Sequence, residues 1–373
     1  MRHRVNNLLL FMCARFVLFF KRVKQNMDGP PRRVLVVQGA KLGDMVCTTP
    51  VFNAIKKVYP QTEVWVVGDG VNRLLLLGHP SVDGYIVAKG LLQTIWKIRK
   101  YTFDFGMTTG PNLMSLSLLV FGKVRRIAAP IVVGESITTR TYTKLVQYVL
   151  TSKHYMHHYA GLSYLRLLEH IGINESDTTK TLVHTKDAET SVYFWKKENQ
   201  FERDIPIVAC SVGAGHKAKQ WHPERFAAVA EYIRDTYGVY IVIIGTQREK
   251  KEVEKFFQAL KSKHGIINAI DAFSVEELKA FISECSLLVA VDTGPIYIAE
   301  AYGIPTVDIV GPVDHREQPP VGDKHAVVYD TTREKPQMFV MNARGYDVDE
   351  VRKQLDNITV AMVTDAVDKL NVL

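Results

Sequence analysis

The chain has 373 residues, of which 47% are apolar and 23% are charged, so it is long enough for two domains, each with its own core. The formal net charge of +8 is spread unevenly. Residues 1–190 hold 25 basic and 12 acidic side chains, whereas residues 191–373 hold 22 basic and 27 acidic ones. This asymmetry disfavours a uniformly basic coat for nucleic acid, and it indicates two halves that face different partners.

The four cysteines are scattered along the chain without any C-x-x-C spacing. This pattern disfavours both a disulfide framework and a zinc site, and it is typical of a reducing, cytoplasmic compartment. We therefore expect buried free thiols at Cys13, Cys47, Cys210 and Cys285.

The N-terminal segment is basic and hydrophobic. Twelve of the thirteen residues from 8 to 20 are apolar, a run shorter than the roughly 20 residues that a transmembrane helix needs. No A-x-A-like cleavage site follows. Arg4, Arg15 and Arg22 fall on one side of a helical wheel, so the segment is predicted to lie in the membrane interface beside anionic headgroups. A floppy leader, or translation that starts at Met27, is the alternative.

A repeated strand–helix pattern begins after the Gly-Pro-Pro break at residues 29–31. The run Val34–Val37 is continuous and valine-rich, as expected for a parallel strand buried on both faces. The pattern predicts strands at 34–37, 63–67 and 103–107, and helices at 45–58, 71–77 and 91–100. Such alternation indicates a doubly wound sheet.

Residues 113–204 are harder to interpret. Helices are predicted at 159–171 and 187–199. His154, His157 and His158 form a cluster, but its spacing lacks the third ligand and the acidic neighbours of a metal site, so we expect a solvated loop there.

The second half of the chain restarts the pattern. It predicts strands at 205–212, 239–244, 265–270, 287–291 and 305–310, and helices at 223–237, 247–261, 274–283, 295–302 and 348–370. The expected fold is α/β, with two Rossmann-like doubly wound lobes facing a central cleft where the carboxyl ends of the strands bind ligands. The predicted boundaries are a leader at 1–31, a first lobe at 32–190 and a second lobe at 191–373.

Several loops exclude other functions. Residues 213–218 fit G-x-G-x-x-[GA], but no acidic residue ends the next strand and the helix begins late, at Pro223, which disfavours a nicotinamide dehydrogenase. The loop at 39–44 lacks the G-K-[ST] of a P-loop. Asp347 and Asp349 form a D-x-D pair at a helix start, where a capping role is favoured over metal binding.

The strongest local signal is Asp292-Thr293-Gly294, which follows a strand and opens a helix. The free N–H groups of a helix N-terminus suit a phosphate, and Lys217 and Lys219 add positive charge. The alternative is that Asp292 and Thr293 simply cap the helix. In the first lobe, Asp44 follows the first strand, where its carboxylate is suited to general-base catalysis or, alternatively, to capping.

Four blocks of sequence occur in a characteristic order. They are RRVLVVQGAKLGDMVCTTPVFNAIKKVYPQTEVWVV, KQWHPERFAAVA, VIIGTQREKKEVE and FSVEELKAFISECSLLVAVDTGPIYIAEAYGIPTVDIVGPVD. Together they resemble the bacterial heptosyltransferase-like glycosyltransferases of glycosyltransferase family nine, which have the GT-B architecture. The resemblance covers about residues 32–315, and residues 113–204 match poorly.

The resemblance implies an inverting transfer that needs neither metal nor cofactor, typically of heptose from ADP-heptose to a lipopolysaccharide inner-core acceptor. Asp44 matches the catalytic base of the family, and Lys219, in K-x-W, matches the lysine that stabilises the departing diphosphate. Glu249 matches the ribose-binding acid. Phe273 matches the position where the adenine rests, and Asp292 matches a contact to the sugar hydroxyls.

The remaining donor-side residues implied by the resemblance lie beside these. Thr293 and Gly294 supply backbone N–H groups to the phosphates, and Ala214 and Gly215 belong to the same donor-binding set. The family usually has His three residues after the D-T-G glycine, whereas this chain has Tyr297, which carries no positive charge.

The acceptor side is assigned to basic residues of the first half, namely Lys41, Lys123, Arg125 and Arg126, which suit a phosphorylated glycolipid. The expected location is cytoplasmic and peripheral, on the inner face of the cytoplasmic membrane. Two alternatives stay open: a non-catalytic protein that binds sugar nucleotides or glycolipids, and a GT-B-like sugar-nucleotide epimerase.

Overall fold

The computed structural model describes residues 2–20, 29–134, 139–341 and 345–373. The chain divides into two compact units, Met1–Lys180 and Thr181–Leu373. Each unit is built on a parallel six-stranded sheet with helices, so the predicted α/β class is confirmed.

The first unit has the strand order β3-β2-β1-β4-β5-β6. Its strands are β1 (Arg33–Val37), β2 (Glu63–Gly68), β3 (Gly84–Val87), β4 (Phe105–Thr108), β5 (Arg126–Val133) and β6 (Leu150–Tyr155). Its helices are α1 (Arg2–Phe20), α2 (Leu42–Val46), α3 (Thr49–Val58), α4 (Gly70–Leu75), α5 (Leu91–Arg99), α6 (Leu113–Phe121), α7 (Arg140–Val146) and α8 (Ala160–Arg166). The valine-rich strand β1 is central and almost fully buried, as its composition predicts.

The order of the strands decides which face of this sheet each helix covers. The chain moves outward from β1 to β3 and then returns to run from β4 to β6 on the other side of β1. Because parallel crossovers are right-handed, α2, α3 and α4 lie on one face of the sheet, and α5, α6 and α7 lie on the other. The packing of α6 against both α5 and α7 agrees with this arrangement.

Helix α1 is present as predicted, but it is packed against the protein on one side, whereas a helix lying only in the membrane interface would have no such contact. It packs on α6 and α7, and Phe11, Ala14 and Leu18 enter the core of the first unit. The reason is that seven of the nine residues of α6 are buried, so this helix needs a cover on its outer side as well. Arg22, which the wheel argument also used, lies outside the described residues.

The side of α1 that faces away from the core is also apolar, and Phe16 and Phe19 are about two-thirds exposed, at 67% and 71%. Across the described part of the chain, no helix is long and apolar enough to cross a membrane.

The second unit has the strand order β12-β11-β10-β7-β8-β9. Its strands are β7 (Ile207–Ser211), β8 (Tyr240–Gly245), β9 (Ile266–Ile270), β10 (Leu287–Val291), β11 (Thr306–Ile309) and β12 (His325–Val328). Its helices are α9 (Lys186–Glu198), α10 (Pro223–Tyr237), α11 (Lys250–Ala259), α12 (Val275–Ser283), α13 (Gly294–Ala301), α14 (Val348–Asp356) and α15 (Val360–Leu370). Helix α10 begins at its proline and ends at Gly238, whose φ of 64° lies in the left-handed region.

The second unit begins ten residues before the predicted boundary. Helix α9 belongs to it because the helix packs on α12, and because the Trp195 ring contacts Phe273 and Phe281. The predicted helix over 348–370 is in fact two helices, because the helical conformation is interrupted between Asp356 and Val360.

The histidine cluster is not a solvated loop throughout. His154 lies on β6 and is fully buried, with its Nδ1 atom 2.9 Å from Ser163 Oγ, so the prediction is wrong for this residue. His157 and His158 are exposed in the turn that follows β6, as expected. Burial, together with the nearby His158, lowers the pKa of His154 to about 4.

The prediction of buried free thiols holds for three of the cysteines. Cys47, Cys210 and Cys285 are buried, and burial raises the pKa of Cys210 to about 12. Cys13 is exposed on α1, so the prediction is wrong there.

The buried His154 makes the first unit sensitive to acid. The unfolded chain takes up this proton near pH 6.5 and the folded chain only near pH 4, so the stability present above pH 6.5 is lost as the pH falls toward 4. The protonation of His154 is expected to change the free energy of unfolding by at most about 3 kcal/mol between these pH values. Urea unfolding at pH 7.5 and 4.5 should show a smaller loss for His154→Gln than for the wild type. His264→Gln, at an exposed site, serves as the control, and equal losses in all three proteins would contradict the assignment.

Candidate active site

In each unit all strands are parallel, so the loops that follow their carboxyl ends meet at one edge of the sheet. In the second unit this edge carries the loops after β7, β8, β9 and β10. These loops contain the predicted donor-side residues, namely Ala214, Gly215, Lys219, Glu249, Phe273, Asp292, Thr293 and Gly294. Tyr297 follows on α13. In the first unit the corresponding edge carries Lys41 and Asp44, after β1.

Asp292 is the centre of the polar contacts at the second edge. Lys219 Nζ lies 2.7 Å from its Oδ2 atom, and both side chains are largely shielded from solvent. Tyr297 donates its hydroxyl to the Oδ1 atom at 2.5 Å, and the same hydroxyl lies 3.0 Å from the carbonyl oxygen of Gln318. Tyr297 is itself only 3% exposed, so its observed role is to orient Asp292.

The alternative that Asp292 and Thr293 simply cap α13 does not describe this site. Thr293 is the N-cap residue of α13, but its side chain makes no capping hydrogen bond. Asp292 binds a lysine and a tyrosine. By contrast, Asp347 does accept hydrogen bonds from the N–H groups of Asp349 and Glu350, so capping is confirmed for Asp347, and Asp349 lies in the first turn of α14.

A second carboxyl group lies close to this ion pair. Asp308, on β11, is 1% exposed, and its Oδ1 atom has no hydrogen-bond partner among the described residues. Burial raises the pKa of Asp308 well above its usual range, and the charge of Asp292 raises it further. Both effects favour the neutral form of the Asp308 carboxyl group beside the Lys219–Asp292 ion pair.

Glu249 lies between the loops that follow β7 and β8. Its Oε2 atom accepts a hydrogen bond from the backbone N–H of Thr246 at 2.6 Å, and the Thr246 side-chain oxygen accepts one from the backbone N–H of Glu249, which together form a capping box. The Thr246 hydroxyl also donates to Oε2 at 2.9 Å. A β-carbon at Gly213 would overlap Cγ of Glu249 and lie 2.7 Å from its Cβ. Glycine at position 213 is thus what lets the side chain of Glu249 approach the loop after β7.

Phe273 belongs to an aromatic cluster. Its ring stacks on Phe281 with centroids 4.7 Å apart, and it meets Trp195 edge-on at the same distance. The phenyl group is half-buried, so these contacts fix its orientation while part of it stays accessible. Gly215 and Lys217 are exposed nearby in sequence, on the loop that carries Lys219.

Asp44 lies in the first turn of α2, where the N-cap residue is Lys41. The backbone at Asp44 is held by two polar side chains, because its carbonyl oxygen accepts a hydrogen bond from the Thr48 hydroxyl at 2.7 Å and lies 3.4 Å from Gln38 Nε2. Asp44 is half-buried and Lys41 is exposed. The helix dipole favours a carboxylate at this position, and the contacts of Thr48 and Gln38 fix the backbone that carries it.

The other basic residues assigned to the acceptor lie at the opposite edge of the sheet. Arg126 begins β5, and Lys123 and Arg125 precede it. Arg125 pairs with Asp104 at 2.8 Å, and Arg126 is only 6% exposed, with burial lowering its pKa. A strand of five residues separates the two edges by about 17 Å, so these residues do not contribute to the surroundings of Asp44.

Sequence reasoning missed three residues of these sites. Gly213 was seen only as part of a glycine-rich loop and Gln38 carried no signal, because their roles come from contacts with Glu249 and with the turn at Asp44. Asp308 did carry a signal, since a carboxylate inside an apolar strand needs a special environment. Within the described ranges, no group of three potential metal ligands is found.

Two units, each built on a parallel six-stranded sheet with its loops gathered at one edge, are the architecture of the GT-B class. The family model described as glycosyltransferase family 9 (heptosyltransferase) matches residues 92–344. The chain therefore belongs to glycosyltransferase family 9.

Known proteins agree with this assignment. The chain is 23% identical over 317 residues to lipooligosaccharide heptosyltransferase 2 of Haemophilus influenzae, covering 79% of this chain and 88% of that protein. Among solved structures, a family 9 glycosyl transferase from Veillonella parvula gives a TM-score of 0.73 at 19% identity, covering 93% and 99% of the two chains. E. coli ADP-heptose lps heptosyltransferase II gives 0.71 at 17% identity, covering 91% and 98%.

The contact between Gly213 and Glu249 can be tested by mutation. Gly213→Ala should lower the free energy of unfolding by about 1–3 kcal/mol, because the added methyl group overlaps Glu249. Gly110→Ala, where no atom lies within 4 Å of the new methyl group, is the matched control and should change it by less than about 0.5 kcal/mol. In a double-mutant cycle with Glu249→Ala, additive losses would show that the two positions do not interact.

Proposed function

We propose that this glycosyltransferase moves heptose from ADP-heptose, with inversion and without a metal ion, to the inner core of lipopolysaccharide or a related anionic glycolipid. The reaction would take place at the inner face of the cytoplasmic membrane. Membership in family 9 supports the reaction class. The names of the Haemophilus and E. coli proteins support the sugar, and the latter supports the donor.

The observation that carries the proposal is the Lys219–Asp292 ion pair beside the buried Asp308, next to the start of α13. If both carboxyl groups were charged, the group would be net negative and would repel a diphosphate. With Asp308 neutral, the pair has no net charge, and the ammonium group of Lys219 is retained for the phosphate oxygens. The N–H groups at the start of α13 add favourable dipoles for the same anion.

The rest of the donor is assigned to the neighbouring loops of this unit. Glu249 accepts hydrogen bonds from the ribose hydroxyls, and the accessible part of Phe273 packs on the adenine. Asp292, oriented by Tyr297, accepts hydrogen bonds from the sugar. Ala214 and Gly215 allow the backbone to approach the diphosphate, because neither has a long side chain.

Inversion requires a base on the acceptor hydroxyl and stabilisation of the leaving diphosphate on the other side of the anomeric carbon. We assign the first role to Asp44 of the first unit and the second to Lys219 of the second unit. Attack by the acceptor oxygen forms the new glycosidic bond, Asp44 takes the hydroxyl proton, and ADP leaves with the bonding electrons. Lys41, exposed on the same edge as Asp44, is assigned to the anionic groups of the acceptor.

The direct test is a donor panel. The purified chain is incubated with ADP-heptose, GDP-sugars or UDP-sugars and with a glycolipid extract from a strain that lacks inner-core heptose, and the acceptor is read by mass spectrometry. We expect a mass gain of one heptose with ADP-heptose alone, unchanged in the presence of EDTA.

Other results would separate the parts of the proposal. Activity with a different donor overturns ADP-heptose but keeps the class of enzyme. Activity lost in EDTA and restored by a divalent ion overturns metal independence. Turnover of the sugar nucleotide without any acceptor would favour an epimerase instead.

Substitutions of Asp44 and Lys219 should affect catalysis and ADP binding differently. Asp44→Asn should lower kcat about 10²–10⁴-fold, because the base is lost, while the affinity for ADP changes less than about twofold. Lys219→Ala should lower kcat/KM about 10²–10³-fold and weaken ADP binding as well. Asp177→Asn, an exposed carboxylate of the first unit, is the control. Single-turnover rates and calorimetry with ADP measure both quantities, and equal loss of both in Asp44→Asn would make Asp44 a structural residue.

A further inference from the structure

The outer side of α1 is the largest run of exposed apolar side chains on the described helices of the first unit. The residues concerned are Leu8, Leu9, Met12, Phe16 and Phe19, all between 49% and 71% exposed. They fall on an arc of the helix that turns away from Phe11, Ala14 and Leu18, which are held in the core. A helix anchored by one apolar side therefore presents a second apolar side to the surroundings.

The two helices that flank α6 on this face of the sheet, α5 and α7, add aromatic and basic groups. Trp96 of α5, on the same face of the sheet, is 60% exposed, and Lys100 Nζ lies 3.7 Å from its ring centroid. Arg15 of α1 and Arg140 and Lys144 of α7 are exposed. Single exposed apolar residues are ordinary on a protein surface, but a cluster rimmed by positive charge marks an interaction site.

The charge of this surface selects its partner. Helices α1, α5, α6 and α7 contain no Asp or Glu in any of their residues. A protein partner of ordinary composition would not require the absence of Asp and Glu. A bilayer with anionic headgroups, by contrast, favours a surface that has cations and lacks carboxylates. Tryptophan beside lysine suits the headgroup level.

We propose that the outer side of α1, with the exposed residues of α5 and α7 on the same face of the sheet, is the surface on which the protein rests on an anionic lipid bilayer. The exposed side of α1 enters the boundary between headgroups and acyl chains, while its inner side stays packed on α6 and α7. Because α1 is held at its inner side, the contact is made by a preformed part of the fold. The proposal does not depend on which sugar is transferred.

The experiment uses the full chain and vesicles of phosphatidylcholine with or without 30% phosphatidylglycerol, separated by sedimentation. We expect at least tenfold tighter binding to the anionic vesicles, weakened by salt. Phe16→Ser/Phe19→Ser should lower this binding at least tenfold, and Arg140→Glu/Lys144→Glu should lower it on anionic vesicles. Phe194→Ser removes an aromatic ring of similar exposure, 54%, from α9 of the second unit, and should leave binding within twofold.

Three outcomes would overturn the proposal. They are equal binding to both kinds of vesicle, equal loss in the Phe194 control, and a dimer in sedimentation velocity that Phe16→Ser/Phe19→Ser dissociates without any vesicle binding. Circular dichroism shows whether each variant is folded, and the charge-reversal variant tests the same surface without touching α1. Heptose transfer to a detergent-dissolved acceptor should be unchanged in all these variants. If the unmodified chain binds vesicles but transfers no heptose, only the proposed reaction is contradicted.

Discussion

Every strand of both sheets is parallel to its neighbours, and the positions of the functional groups depend on this constraint. A parallel pair cannot be closed by a tight turn, so each connection crosses back over the sheet, usually as a helix. The loops after the carboxyl ends then collect at one edge. In the second unit, this brings Lys219, Glu249 and Asp292, which follow β7, β8 and β10, to the same edge. In the first unit it sets Asp44 apart from Arg125 at the far edge.

The chemistry at the second edge depends on an unequal sharing of charge. Two carboxyl groups, Asp292 and Asp308, act on each other and on one lysine. Burial raises the pKa of Asp308 and so favours its neutral form, while Asp292 pairs with Lys219 and accepts a hydrogen bond from the Tyr297 hydroxyl. This arrangement gives Tyr297 a defined task at the position where the family resemblance implies a histidine. A tyrosine hydroxyl can hold a carboxylate in place without adding a positive charge.

The sequence predicted most of the framework, because strong periodic patterns and capping residues are local signals. Helix α10 begins at Pro223 and ends at Gly238 for this reason. Strands β3, β5, β6 and β12 escaped prediction. β3 and β12 have only four residues each and are partly exposed, and β5 and β6 lie within residues 113–204, where no clear pattern was found. The contact of Glu249 with Gly213 was also invisible, because it joins two loops far apart in sequence. The roles of Asp44 and Lys219 came from the family resemblance and stay predictions.

The burial of one side of α1 ties two distant stretches of sequence to each other. Helix α6, with the sequence LMSLSLLVF, has no polar side wide enough to face water, and α1 covers it. A natural or engineered version without α1 would leave that side of α6 open and prone to aggregation, unless polar residues replaced some of its leucines. Across related proteins, the presence of such an N-terminal helix and the polarity of α6 are therefore expected to change in concert, as an inherited pair.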